Sequence, residues 1–178
     1  MISKKIFFII FLQFSLFANS VYNINFLDFQ AKVFPKIILL DNNFENKLLE
    51  NSVVLTILYE EIDYSAVEIL KDKIEKECKC LRDYNLKVNS LKYSEFNRDK
   101  LSTAYILLLG KDEKILEISK ILSSNSRLTF AYDNNYLDLG VIFGLSITSK
   151  VDILLNIEAL KNSKIELQNS IFSVVKIR

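Results

Sequence analysis

The chain has 178 residues, half of them hydrophobic, with 23 basic and 22 acidic side chains and no histidine. That length suits one domain with a substantial core. Near-neutrality excludes the basic stripe on which nucleic-acid binding depends, and equally an electrostatic hold on an anionic membrane.

Residues 1–20 are expected to be a signal peptide and not part of the fold. Lys4 and Lys5 form its positive start, residues 6–17 are almost wholly apolar, and Ala18-Asn19-Ser20 supplies small residues for cleavage near 18–20. The apolar run is short for a bilayer span; a non-cleaved anchor is the alternative. No cysteine stands at the cleavage point, so lipidation is not expected. Cleavage removes Lys4 and Lys5 and no acid, which leaves 21 basic against 22 acidic side chains. An exported, periplasmic domain of residues 21–178 follows, recognising its partners by shape and apolar contact.

Residues 22–34 place Ile24, Leu27, Ala31 and Phe34 on one helical face, with Pro35 as the stop. This reads as a helix docked on a sheet. Residues 36–40 read as a strand or a helical continuation. Residues 53–59 (VVLTILY) are the clearest strand, apolar and β-branched as in a parallel sheet covered on both faces. An acidic turn, Glu60-Glu61-Ile62-Asp63, leads into a helix over 65–77, with Ser65 and Glu68 as a capping box and Val67, Leu70 and Ile74 facing inward.

That turn stands at the carboxyl end of a strand, where α/β folds place ligands. Glu60, Glu61 and Asp63 are therefore candidate ligand-site residues, together with Gly110 in the next strand-to-helix turn. The competing reading is that acids at a helix N-terminus answer the helix dipole, and it is preferred. No metal is expected.

Cys78 and Cys80 close the helix and are the redox candidates. Two positions apart on a helix means about 200° apart, which forbids pairing while helical. Three readings stay open: a strained local disulfide at a frayed end, a disulfide between protomers of a homodimer, or a soft Cu(I)-type ligand pair.

Residues 84–93 alternate as a half-exposed strand. Residues 94–100 form a polar helix or loop, and 104–109 (AYILLL) a second buried strand. Gly110 gives the exit, Asp112 the N-cap, and 113–122 a helix with Ile115, Ile118, Ile121 and Leu122 inward. Gly110 is the one glycine in a strand-to-helix turn, and dinucleotide and phosphate loops need several, so no cofactor is expected. Residues 128–132 are a strand closed by Asp133-Asn134-Asn135. Residues 138–155 form a hairpin reversing at Ser149-Lys150, and residues 156–160 lead to a last apolar segment over 171–177.

The order predicts an α/β domain: a mostly parallel sheet, helices on both faces, and a C-terminal antiparallel hairpin. The tail resembles the YfiR-type family of periplasmic regulators. The residues that carry this are Gly140-Val141-Ile142, Leu155-Asn156-Ile157-Glu158-Ala159-Leu160, and Ser170-Ile171-Phe172 leading to Val174-Val175, with a closing helix implied there. The chain departs from the family in having Leu139 before Gly140 and in ending Lys176-Ile177-Arg178. The resemblance implies an exported protein that binds and restrains a membrane-bound signalling enzyme, such as an inner-membrane diguanylate cyclase, through its periplasmic segment. The alternative from the residues is a periplasmic small-molecule or ion sensor. Without histidine, acid–base work would fall to a carboxylate, Lys or Tyr. No pairing in the sequence selects one, so an enzyme is not expected.

Overall fold

The computed structural model describes residues 21–178 except Lys79, so the signal-peptide expectation for 1–20 lies outside the described residues. Eight strands form one sheet: β1 (Ser52–Tyr59), β2 (Cys80–Leu81), β3 (Tyr84–Lys92), β4 (Ala104–Leu107), β5 (Leu128–Ala131), β6 (Phe143–Ile147), β7 (Val151–Leu155) and β8 (Val175–Ile177). Their order is β2-β3-β1-β4-β5-β6-β7-β8. The central run β3-β1-β4-β5-β6 is parallel, and β6 and β7 are the antiparallel hairpin. The expected α/β class and C-terminal hairpin are both present.

β1 is buried at all eight positions because both of its faces are covered. Val53, Leu55, Ile57 and Tyr59 enter the layer built with α1 (Ile24–Ile38) and α2 (Tyr64–Glu77). Leu58 turns to the opposite layer, where α3 (Asp112–Ser124) buries Ile115, Ile118 and Leu122. β4 alternates likewise, Ala104 and Ile106 on the first side and Tyr105 and Leu107 on the second.

Several local expectations are corrected. Pro35 does not stop α1, which continues to Ile38. Burial of Phe34, Ile37 and Ile38 outweighs the about 3 kcal/mol that an interior proline costs. Ile24 is exposed and Gln30 takes a place on the buried face instead. The helix is capped by Asn23, whose side chain accepts from the Asn25 and Phe26 amides. Ser65 and Glu68 form no capping box, because α2 begins one residue earlier, at Tyr64. Asp112 lies inside the first turn of α3, and the N-cap position is Lys111. The closing helix implied by the resemblance is a 3-10 turn, Asn169–Ser173, followed by β8, which pairs in parallel with β7. At the start of the hairpin region Gly140 has φ +92°, a left-handed backbone that glycine adopts without strain. α4 (Ile157–Ser163) is capped by the Asn156 side chain, whose Oδ1 accepts from the Ala159 amide at 2.9 Å.

The cysteines are not helical. α2 ends at Glu77, Cys78 is extended, and Cys80 opens β2. Both are free thiols, Cys78 half-buried against the core and Cys80 exposed.

Candidate functional site

The helix after β1 lies on one side of the sheet and the helix after β4 on the other. The carboxyl ends of these adjacent strands therefore flank the point where α/β folds open a crevice. Glu60, Glu61, Asp63 and Gly110 all stand there, so the sequence candidates do share one end of the sheet.

Tyrosine side chains close this crevice. The Tyr93 hydroxyl donates to the Leu108 carbonyl at 2.7 Å. The Leu109 amide donates to Tyr22 Oη at 2.9 Å. Gly110 is held from both sides by Tyr136, whose oxygen accepts from the Gly110 amide at 2.9 Å while its hydroxyl donates to the Gly110 carbonyl at 3.1 Å. Burial pushes the Tyr93 and Tyr136 hydroxyls above their ordinary pKa, so they stay protonated and able to donate.

Gly110 is glycine for a packing reason. A Cβ there would sit 2.7 Å from Tyr93 Cε2 and 3.3 Å from Ile115 Cδ1. Gly110→Ala is expected to cost about 1–3 kcal/mol by overpacking, read as a lower urea midpoint with an unchanged slope.

Two of the three acids, Glu61 and Asp63, are engaged within the protein. Glu61 pairs with Lys92 at 2.5 Å on the surface. Asp63 is held above the usual carboxylate range by burial, opposed by a hydrogen bond from Tyr22, and raised further by Glu60. Its folded form thus keeps a proton to higher pH than the unfolded chain, and stability from this group falls as pH rises through that window. Asp63→Asn should therefore leave the thermal midpoint unchanged well below about pH 4 and raise it at about pH 7. A drop at neutral pH would refute this. Among the described residues no group of three or more Cys, Asp or Glu side chains comes together in a way that could hold a metal ion.

The open space lies one strand further along. A groove of about 990 Å³ runs between the first turns of α1 and the ends of β5 and β6. Its apolar lining includes Phe26, Phe29, Tyr132 and Leu145, and Val21 and Ile147 are strongly exposed at its rim. Its polar groups are largely taken up within the protein. Asn23 Oδ1 caps α1, Asp133 Oδ1 accepts from the Asn135 amide at 2.9 Å, and Asp28 is bonded by Lys32 and Lys73 at 2.7 and 3.0 Å. Those two lysines hold the Asp28 carboxyl below its usual range. Asn134 Nδ2 donates to the Leu145 carbonyl at 2.8 Å, and Gly144 must be small because a Cβ would fall 2.5 Å from Asn134 Oδ1.

The tyrosines and this groove were not among the sequence candidates. A signal existed: Tyr93, Tyr132 and Tyr136 each stand just after a strand or in the turn beyond it, where a phenol can bury its ring and reach the backbone with its tip.

No family model matches the chain, and neither does any curated protein. Solved structures share its fold, two of them as follows. One is a conserved domain protein from Vibrio cholerae O1 biovar El Tor strain N16961, with a TM-score of 0.55 at 10% identity, covering 85% of this chain and 59% of that one. The other is an ABC domain in complex with L-Trp from Streptococcus pneumonia, with a TM-score of 0.51 at 10% identity, covering 80% and 62%. The chain thus spans about three-fifths of the length of either. Among the described residues no helix is long and apolar enough to cross a membrane.

Proposed function

We propose that this domain acts by recognition, seating an apolar segment of a membrane-bound signalling enzyme's extracytoplasmic part in the groove between α1 and β6. The observation that carries the reading is the groove itself: a mainly apolar lining, with Val21 and Ile147 exposed at its rim and the Asn23, Asp28 and Asp133 oxygens engaged within the protein. A site for a small molecule encloses most of its ligand, whereas this groove is open along its length and suits a side chain presented by a larger body. The YfiR-type pattern at Gly140 and Leu155–Leu160 supports the same kind of partner, a diguanylate cyclase in the inner membrane, reached from the periplasm after export. The tyrosines bonded to the backbone beside Glu60, Asp63 and Gly110 support reading the groove, and not that crevice, as the binding surface. On this reading the chain binds no nucleic acid and performs no chemistry of its own.

Restraint of an enzyme requires preference for one of its states, and about 1.4 kcal/mol of difference gives a tenfold bias. Deleting the gene is expected to raise cyclic di-GMP. Ile147→Glu, on the exposed rim, should reproduce the rise while changing folding stability by less than about 0.5 kcal/mol. Unchanged cyclic di-GMP in both strains would overturn the proposal.

A second reading, a sensor for a small amino-acid-like ligand, is favoured by the L-Trp held by one structural neighbour. Saturable heat on titration of the purified protein with L-Trp, abolished by Ile147→Glu, would establish it in place of the first.

A further inference from the structure

A polar row crosses the otherwise apolar sheet. Parallel register sets Asn89 of β3 beside Thr56 of β1, and Thr56 beside Tyr105 of β4. All three lie on the α3 side, where α3 packs toward β5 and the connection over residues 93–103 closes over the rest with Phe96 and Leu101. A pocket of about 610 Å³ remains beneath that connection, with Thr56, Ser102 and Tyr105 in its lining.

These three hydroxyl groups are buried, and their protons do not balance. Thr56 Oγ1 and Ser102 Oγ share one hydrogen bond of 2.7 Å. Tyr105 Oη accepts from the Ser102 amide at 2.6 Å. Three hydroxyl protons serve at most two links between hydroxyls. At least one is left without an acceptor among the described residues, and whichever group carries it lines the pocket. A buried donor in this position is costly unless an outside oxygen meets it.

The rest of the lining is rich in donors. Lys71 and Lys100 share the lining with a single acid, Glu95, and neither lysine forms an ion pair among the described residues. Asn97 Oδ1 accepts from the Asp99 amide at 2.8 Å, which leaves its NH₂ free to donate.

We propose that this pocket, separate from the groove at α1, binds a small oxygen-rich anion, a carboxylate or phosphate group, through Lys71, Lys100, the Asn97 amide and the surplus hydroxyl proton of the Thr56–Ser102–Tyr105 floor. The ligand would place one anionic oxygen on the floor and another between the lysines.

Calorimetric titration of the purified protein with citrate and with inorganic phosphate, at low and matched ionic strength, tests this. Saturable binding of at least one anion is expected, and it identifies which group the pocket takes. Lys100→Ala and Asn97→Asp, the latter keeping the acceptor for the Asp99 amide, fall on exposed residues and should leave the anion-free thermal midpoint in place while weakening binding about tenfold or more, the usual effect of losing a charge-assisted bond. Tyr105→Phe is less decisive because it also strips the Ser102 amide of its acceptor. Absence of saturable binding by both anions, or equal affinity in both rim variants, would overturn the proposal.

Discussion

Phe130→Ala is expected to remove about 3–5 kcal/mol of folding stability, the range for deleting a fully buried ring. Phe130 stands in β5 with no exposure, stacked on Phe34 of α1 at 4.6 Å and on Phe143 of β6 at 5.8 Å. The register pairs Phe130 directly with Phe143, so the ring joins two strands and the N-terminal helix at once. A cavity there has three rigid walls and little means of collapse. Since domains of this size are stable by only about 5–15 kcal/mol, the loss should be plain in urea unfolding. A measured cost below about 1 kcal/mol would mean that α1 does not dock on β5 as described.

Lys47→Met should be nearly as damaging for an electrostatic reason. Lys47 Nζ lies 2.5 Å from Asp41 Oδ2, and the two side chains are 9% and 1% exposed. Removing the cation leaves a buried carboxylate with one backbone donor, the Asn43 amide at 2.9 Å. Arg127 lies within electrostatic reach of Asp41 but makes no bond to it, so it softens the loss without replacing the partner. Breaking a buried pair in this way costs about 3–5 kcal/mol. Replacing both residues, Asp41→Leu with Lys47→Met, should recover about half or more of that, because the stranded charge is gone. A double variant as unstable as the single one would show that packing, not charge, is what Lys47 supplies.

The parts of the fold legible in the sequence are those whose pattern is local. Residues 53–59 and 104–109 read as buried strands because nearly every side chain is apolar; both occupy the centre of the sheet, although the second strand ends at Leu107. The 138–155 hairpin was legible from its polar reversal, although its first strand begins only at Phe143. Pro35 misled because a local rule met a tertiary contact: the helix end packs against the core and overrides the proline. The acidic turn was correctly placed at the carboxyl end of β1, but its crevice is filled by residues from far along the chain. Tyr22 reaches Leu109 across 87 positions and Tyr136 reaches Gly110 across 26. No periodicity carries that information. Thr56 was the overlooked clue, a single hydroxyl inside an apolar strand that marks the polar row.

The long reach of the N-terminal segment bears on the order of folding. Asn23 is bonded to Tyr132, Gln30 to Ala131, and Gln168 to Leu39, at separations of 109, 101 and 129 residues. β1 is central, yet both of its neighbours come later in the chain. A growing chain can pack α1 on α2 and β1 on β3 within its first hundred residues, but the N-terminal segment gains its bonds to Ala131 and Tyr132 only once β5 has been made, and the segment at Leu39–Asn42 waits for residues 166–168. Closing such wide loops makes folding slow relative to a local bundle. The N-terminal segment is thus pinned at its far contacts only after the second half of the chain has been made.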